Sequence, residues 1–180
     1  MNKITLAILA AMCASQTLAA DTVLPRDVVV SLSVVNRFFR EVTQEISSGP
    51  DLTAAGNPIA TRSVIYANSD NSKKVTITVD QYASLSDASS AYEEALQKSR
   101  IVPGFMPIFA PSLVPSVRAN AFIGSVTQGA ETHVGLGILD GTLIVGATLV
   151  GYDPTLANIA KLISLARKEK AVANAILEGP

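Results

Sequence analysis

Apolar residues recur at Val28, Leu32, Val35, Phe39, Val42 and Ile46, in steps of four, three, four, three and four. This spacing predicts a single helix of about six turns with one apolar stripe. Pro25 suits its first position, and Gly49-Pro50 supplies a stop. Such a stripe could serve as a coiled-coil seam, but three heptads is short for one, so packing on a sheet is preferred. A loop follows over Asp51–Ala60. Strands are then predicted over Thr61–Asn68 and Lys74–Gln81, joined by the polar turn Ser69–Ser72. In the second strand Val75, Ile77 and Val79 point inward, and Thr76, Thr78 and Asp80 point to a solvated face.

A second helix opens at Ser84, where Asp87 answers the cap in a weaker relative of the capping box. Leu85, Ala88, Tyr92, Ala95, Leu96 and Ser99 form its inner face, and Ala88, Ala91 and Ala95 allow it to sit close to a sheet. Ile101–Val117 then breaks every period. It carries prolines at 103, 107, 111 and 115 with apolar residues between them, which excludes regular helix and a central strand. A loop of this length in a compact domain is often functional. Phe105 and Met106, beside Gly104, are placed at its tip and Phe109 inward.

A strand over Asn120–Thr127 and a turn at Gln128-Gly129-Ala130 lead into the strongest local pattern of the chain, Glu131–Gly151. Asp140-Gly141 between two apolar runs predicts a hairpin with a two-residue primed turn. That register sets Ile138 against Leu143, Leu136 against Val145 and Val134 against Ala147, all on a core side. The other side carries His133, Gly135, Gly137 and Leu139, opposite Thr148, Gly146, Ile144 and Thr142. Asp153-Pro154 starts the last helix, with Leu156, Ile159, Ala160, Ile163 and Ala166 as its stripe. Lys161, Arg167, Lys168 and Lys170 lie late in it, favourable to the helix dipole, and Ala171–Leu177 extends it as a tail.

The order is helix, two strands, helix, proline-rich loop, three strands, helix. Strands in runs with separate helices predict an α+β two-layer sandwich with a largely antiparallel sheet of about five strands. The layout is similar to that of exported bacterial sensor and accessory domains, and no residue motif selects one of them.

The N-terminus changes the picture of destination. Lys3, the apolar stretch Ile4–Met12 and the small residues up to Ala20 read as a cleavable signal peptide over residues 1–20, too short to span a bilayer. Cleavage falls after Ala19 or Ala20, leaving residues 21–180 as a single domain for the periplasm or the exterior. Cys13 is the only cysteine, and Met12 before it argues against lipidation. The mature chain then has no thiol and no disulfide, so its core must hold it. Loss of Lys3 leaves 13 basic residues against 15 acidic ones, with no basic run. Nucleic-acid binding by phosphate neutralisation is not expected.

Candidate chemistry is sparse. His133 is the only histidine. It could act as a base or ligand, with Asp80 or Glu131 beside it, but no spacing matches a metal motif. It is read as an exposed or hydrogen-bonded strand residue. Gly124-Ser125 lacks the nucleophile elbow, and Gly135-x-Gly137 lies within a strand, where it cannot cradle phosphate. No residue is assigned a catalytic or metal role, and no cofactor is expected. Glycine inside a strand allows close approach of a ligand or a helix. The binding candidates are therefore Phe105, Met106, Ile108 and Phe109 of the loop, and His133, Gly135, Gly137, Gly146 and Thr148 of the hairpin. The leading reading is an exported, non-enzymatic domain that binds an apolar small molecule or an envelope protein. One alternative is a peripheral membrane or envelope-assembly protein docking through 101–117. The other is an enzyme or metal protein centred on His133.

Overall fold

The computed structural model describes residues 22–108 and 121–177. The signal-peptide reading, Cys13, Phe109 and most of the proline-rich loop lie outside them. Among the described residues, seven antiparallel strands form one sheet in the order β1-β2-β3-β7-β6-β5-β4. They are β1 (Gln44–Gly49), β2 (Ala60–Ala67), β3 (Lys74–Gln81), β4 (Met106–Pro107), β5 (Ala121–Gln128), β6 (Glu131–Asp140) and β7 (Leu143–Val150). Accompanying them among the described residues are the α-helices α1 (Leu32–Phe38), α2 (Leu85–Ile101) and α3 (Leu156–Leu177). The α+β sandwich with an antiparallel sheet holds, with seven strands in place of about five. Two meanders, β1 to β3 and β4 to β7, join where β3 pairs with β7. All eight residues of β7 are buried, as expected for a strand covered on both faces.

The first face carries Val75, Ile77 and Val79 of β3, Val134, Leu136 and Ile138 of β6, and Leu143, Val145, Ala147 and Leu149 of β7. Against them pack Ile159, Leu162, Ile163 and Ala166 of α3, with Val28, Val35, Phe39 and Val42 from the N-terminal segment. The second face is not solvated over its centre. There α2 lies across β6 and β7, and Ala88, Ala91, Tyr92 and Ala95 pack with Tyr82 and Ile144. Thr76 and Asp80, expected outward to water, are consequently 4% and 5% exposed. The helix begins as expected: Ser84 Oγ accepts from Asp87 N at 3.1 Å and donates to Asp87 Oδ2 at 2.7 Å. Leu85, assigned to its inner face, is 59% exposed.

The predicted first helix divides into a 3-10 turn at Arg26–Val28, the short α1, and strand β1. Val28-Val29-Val30 and Val34-Val35 are β-branched and stiff in a helix. Asn36 Nδ2 then donates to the Arg40 and Val42 carbonyls, closing the turn after α1. From Thr43 onward the backbone finds a partner in β2. The stripe still names buried residues, since Val28, Val35, Phe39 and Val42 are all in the core, but Ile46 is exposed at a bulge in β1.

The hairpin forms with its two sides composed as predicted, but its register is shifted by two residues. Asp140 pairs with Leu143, so the turn is Gly141-Thr142. Gly141 takes φ 57° and Thr142 does not enter the left-handed region, the pattern of a Gly-X turn. Ile138 faces Val145, Leu136 faces Ala147, and His133 faces Val150 where Thr148 was expected. A shift of two preserves which side each residue occupies. At the last helix, Asp153-Pro154 precede the first turn, and Thr155 Oγ1 caps it by accepting from Asn158 N at 3.3 Å. The tail Ala171–Leu177 is helical throughout.

Candidate functional site

The N-terminal segment crosses the C-terminal half of α3, and the crossing leaves an apolar groove of about 720 Å³. Val29, Val30 and Val34 form one wall and Val172 the other, with Arg26 and Asp27 at the rim.

The wall is held by polar groups behind it. Glu169, fully buried on α3, accepts the Val30 N–H on Oε2 at 2.8 Å. The Tyr66 hydroxyl donates to the Val30 carbonyl, so both polar groups of this residue are bound by side chains. Arg26 Nη2 reaches Tyr66 Oη at 2.6 Å and Glu45 Oε2 at 2.7 Å, while Nη1 donates to Val29 O at 3.0 Å. Burial pushes the Glu169 carboxyl up to about 8, against the opposing pull of the Val30 N–H and the Arg26 charge. Burial also pushes the Tyr66 phenol up to about 12, with Arg26 working the other way. At neutral pH the groove is thus backed by a largely protonated acid and a neutral phenol.

The residues singled out from sequence fall elsewhere. Gly135, Gly137, Gly146 and Thr148 share the second face, with Gly135 opposite Thr148 and Gly137 opposite Gly146. All four are buried, on the face of the sheet that α2 also packs against. Phe122 covers Gly137, where an added Cβ would lie 2.7 Å from its ring. Phe122 in turn packs on Tyr92 at 5.5 Å between centroids. Phe105 does not project from a loop tip; its ring lies on Gly124. Met106 is 67% exposed on the edge strand β4, where Pro107 is tolerated because an edge needs no donor from it. Ile108 donates to Ile123 O at 3.0 Å and packs on the first-face core.

His133 is 2% exposed, which rules out the exposed one of the two placements expected for it, exposed or hydrogen-bonded. Its Nε2 lies 3.5 Å from Glu131 Oε2, and its Nδ1 has no hydrogen-bond partner. Among the described residues no three His, Cys, Asp or Glu side chains gather in a metal-binding arrangement. Two features were missed in the sequence: the groove itself, and Glu169 behind it.

The fold defines an antiparallel α+β sandwich with its main helix across one face and a second helix on the other. Such a fold is shared by the extracellular domain of PknH from Mycobacterium tuberculosis, with a TM-score of 0.56 and 11% identity over 80% of this chain and 93% of that one. At this identity the likeness concerns the fold alone. No family model and no curated protein matches the chain. Among the described residues no helix is long and apolar enough to cross a membrane.

Proposed function

We propose that this is an exported, non-catalytic binding domain whose groove between the N-terminal segment and α3 takes an apolar small molecule. The observation that carries the reading is the groove: about 720 Å³, walled by Val29, Val30, Val34 and Val172. That volume lies within the usual range for small-molecule sites, which are mostly apolar with a few polar groups to orient the ligand. Arg26 is already bound to Glu45, Tyr66 and the Val29 carbonyl, so the rim offers no free cation to select an anion. Affinity then comes from burying apolar surface. Export is supported by the signal-like N-terminus and by a fold shared with an extracellular domain.

Titration with the apolar fluorophore N-phenyl-1-naphthylamine tests the reading. Saturable enhancement is expected, and Val34→Asp or Val172→Asp should remove it without unfolding the protein, since both side chains are only half-buried. Enhancement that survives both substitutions would place binding elsewhere. Intact mass of the secreted form tests export; retention of residues 1–19 would contradict it.

A further inference from the structure

Two charged side chains line the groove between the N-terminal segment and α3, Arg26 and Asp27, and they are used differently. Arg26 is engaged within the protein. Its guanidinium reaches Glu45 Oε2 and Tyr66 Oη through Nη2 and the Val29 carbonyl through Nη1, and Glu45 balances its charge. The wall beside it is closed to a ligand's polar groups as well. Val29 N donates to Arg26 O at 3.3 Å, Val30 N donates to Glu169 Oε2 at 2.8 Å, and the Val30 carbonyl accepts from Tyr66. Every backbone polar group of Val29 and Val30 thus has a partner inside the protein.

Asp27 is the exception. It is exposed, and its carboxylate makes no hydrogen bond or ion pair with any described residue. With Arg26 balanced by Glu45, the lining carries one uncompensated negative charge. Ser31, also on the lining, lies 2.9 Å from Ser33 Oγ through its own hydroxyl. A hydroxyl oxygen has two lone pairs, so that contact leaves Ser31 able to accept again. The groove therefore joins apolar walls to a rim that accepts hydrogen bonds and is negative. An ammonium group offers three donors, no acceptor and a positive charge, the complement of such a rim. A carboxylate or phosphate head would meet Asp27 as a like charge and find Arg26 engaged.

We propose that the ligand of this groove is a free small amphiphile with a primary ammonium head, its head at Asp27 and Ser31 and its chain along Val29, Val30, Val34 and Val172. This rests on the reading of the groove as an apolar site and adds the sign of the head group. Asp27 is exposed, so the discrimination is modest. One exposed ion pair contributes a factor of a few, and repulsion of an anion contributes a similar one, which together give roughly a tenfold preference for an ammonium over a carboxylate on the same chain.

The test is displacement of N-phenyl-1-naphthylamine, with calorimetry alongside, by octylammonium, octanol and octanoate at neutral pH and matched ionic strength. The expected order of affinity is ammonium, alcohol, carboxylate, with roughly tenfold between the ends at low salt and less at high salt, where the pair is screened. Asp27→Asn should bring the three together, and Asp27→Lys should reverse the order. Both should melt like wild type, because the side chain is exposed. Glu93→Gln, which removes an equal charge from the exposed side of α2, should leave the order intact. Octanoate binding as tightly as octylammonium, while the fluorophore still binds, would overturn the proposal and leave the groove reading standing. So would a preference that survives Asp27→Asn, or one that Glu93→Gln removes equally. Failure of the fluorophore and all three amphiphiles to bind would overturn the groove reading and the proposal together.

Discussion

Glu169 on α3 accepts the backbone N–H of Val30 at 2.8 Å across 139 residues of sequence. This bond ties the C-terminal helix to the wall of the groove. Its other carboxyl oxygen, Oε1, is buried without a partner. The acid therefore positions Val30 while remaining costly to ionise.

That cost predicts a pH dependence. Burial raises the folded-state value of Glu169 to about 8, above the ordinary 4.5. The folded state then holds a proton that the unfolded state releases, so this contribution is fully present below about pH 4.5 and is lost as pH rises through 8. The total is on the order of 5 kcal/mol. Glu169→Gln keeps an acceptor for Val30 and does not titrate. Chemical denaturation at pH 5, 7 and 8.5 should show the variant gaining on wild type as pH rises. Parallel stabilities across that range would refute the assignment.

Gly151 is expected to tolerate no side chain. Its φ is +76°, and an added Cβ would run into the Ser72 carbonyl oxygen, which is backbone and cannot swing aside. Gly151→Ala should cost roughly 1–3 kcal/mol or more in urea unfolding. Gly141, at φ 57° in the hairpin turn, should behave similarly toward Gly141→Val on backbone strain alone.

Phe105→Ser should lower stability by about 1–2 kcal/mol, because its half-buried ring covers Gly124 and shields the edge-proximal strand β5. Met106→Ser, at 67% exposure, should leave the melt nearly unchanged. Equal losses from the two would mean that the ring does not hold this edge.

Strands β2, β3 and β5 to β7 were legible because their period of two is short, whereas β4 lies inside the proline-broken stretch expected to be loop. Even the slipped hairpin register preserved the faces, since Gly141-Thr142 and Asp140-Gly141 differ by a shift of two in pairing. The N-terminal segment was not legible as strand and short helix. Val28, Val35, Phe39 and Val42 satisfy a helical period while lying on three different pieces of chain. Asp80 read as an outward residue because alternation identifies a second face without showing that α2 and the 51–60 loop cover it. The groove had no local signature, being assembled from residues 26–34 and Val172. Glu169 did carry one. It stands four residues beyond Leu165 and four before Ala173, an acid in line with the buried stripe of α3.

Backbone amide chemical shifts of the folded protein, followed during titration with N-phenyl-1-naphthylamine, show directly whether the groove takes an apolar ligand. Saturable shifts are expected at Val29, Val30, Ser31, Val34 and Val172, with the β6 glycines Gly135 and Gly137 unmoved. Shifts confined to the glycine face or to the edge around Met106, or no saturable shifts at all, would contradict binding in the groove.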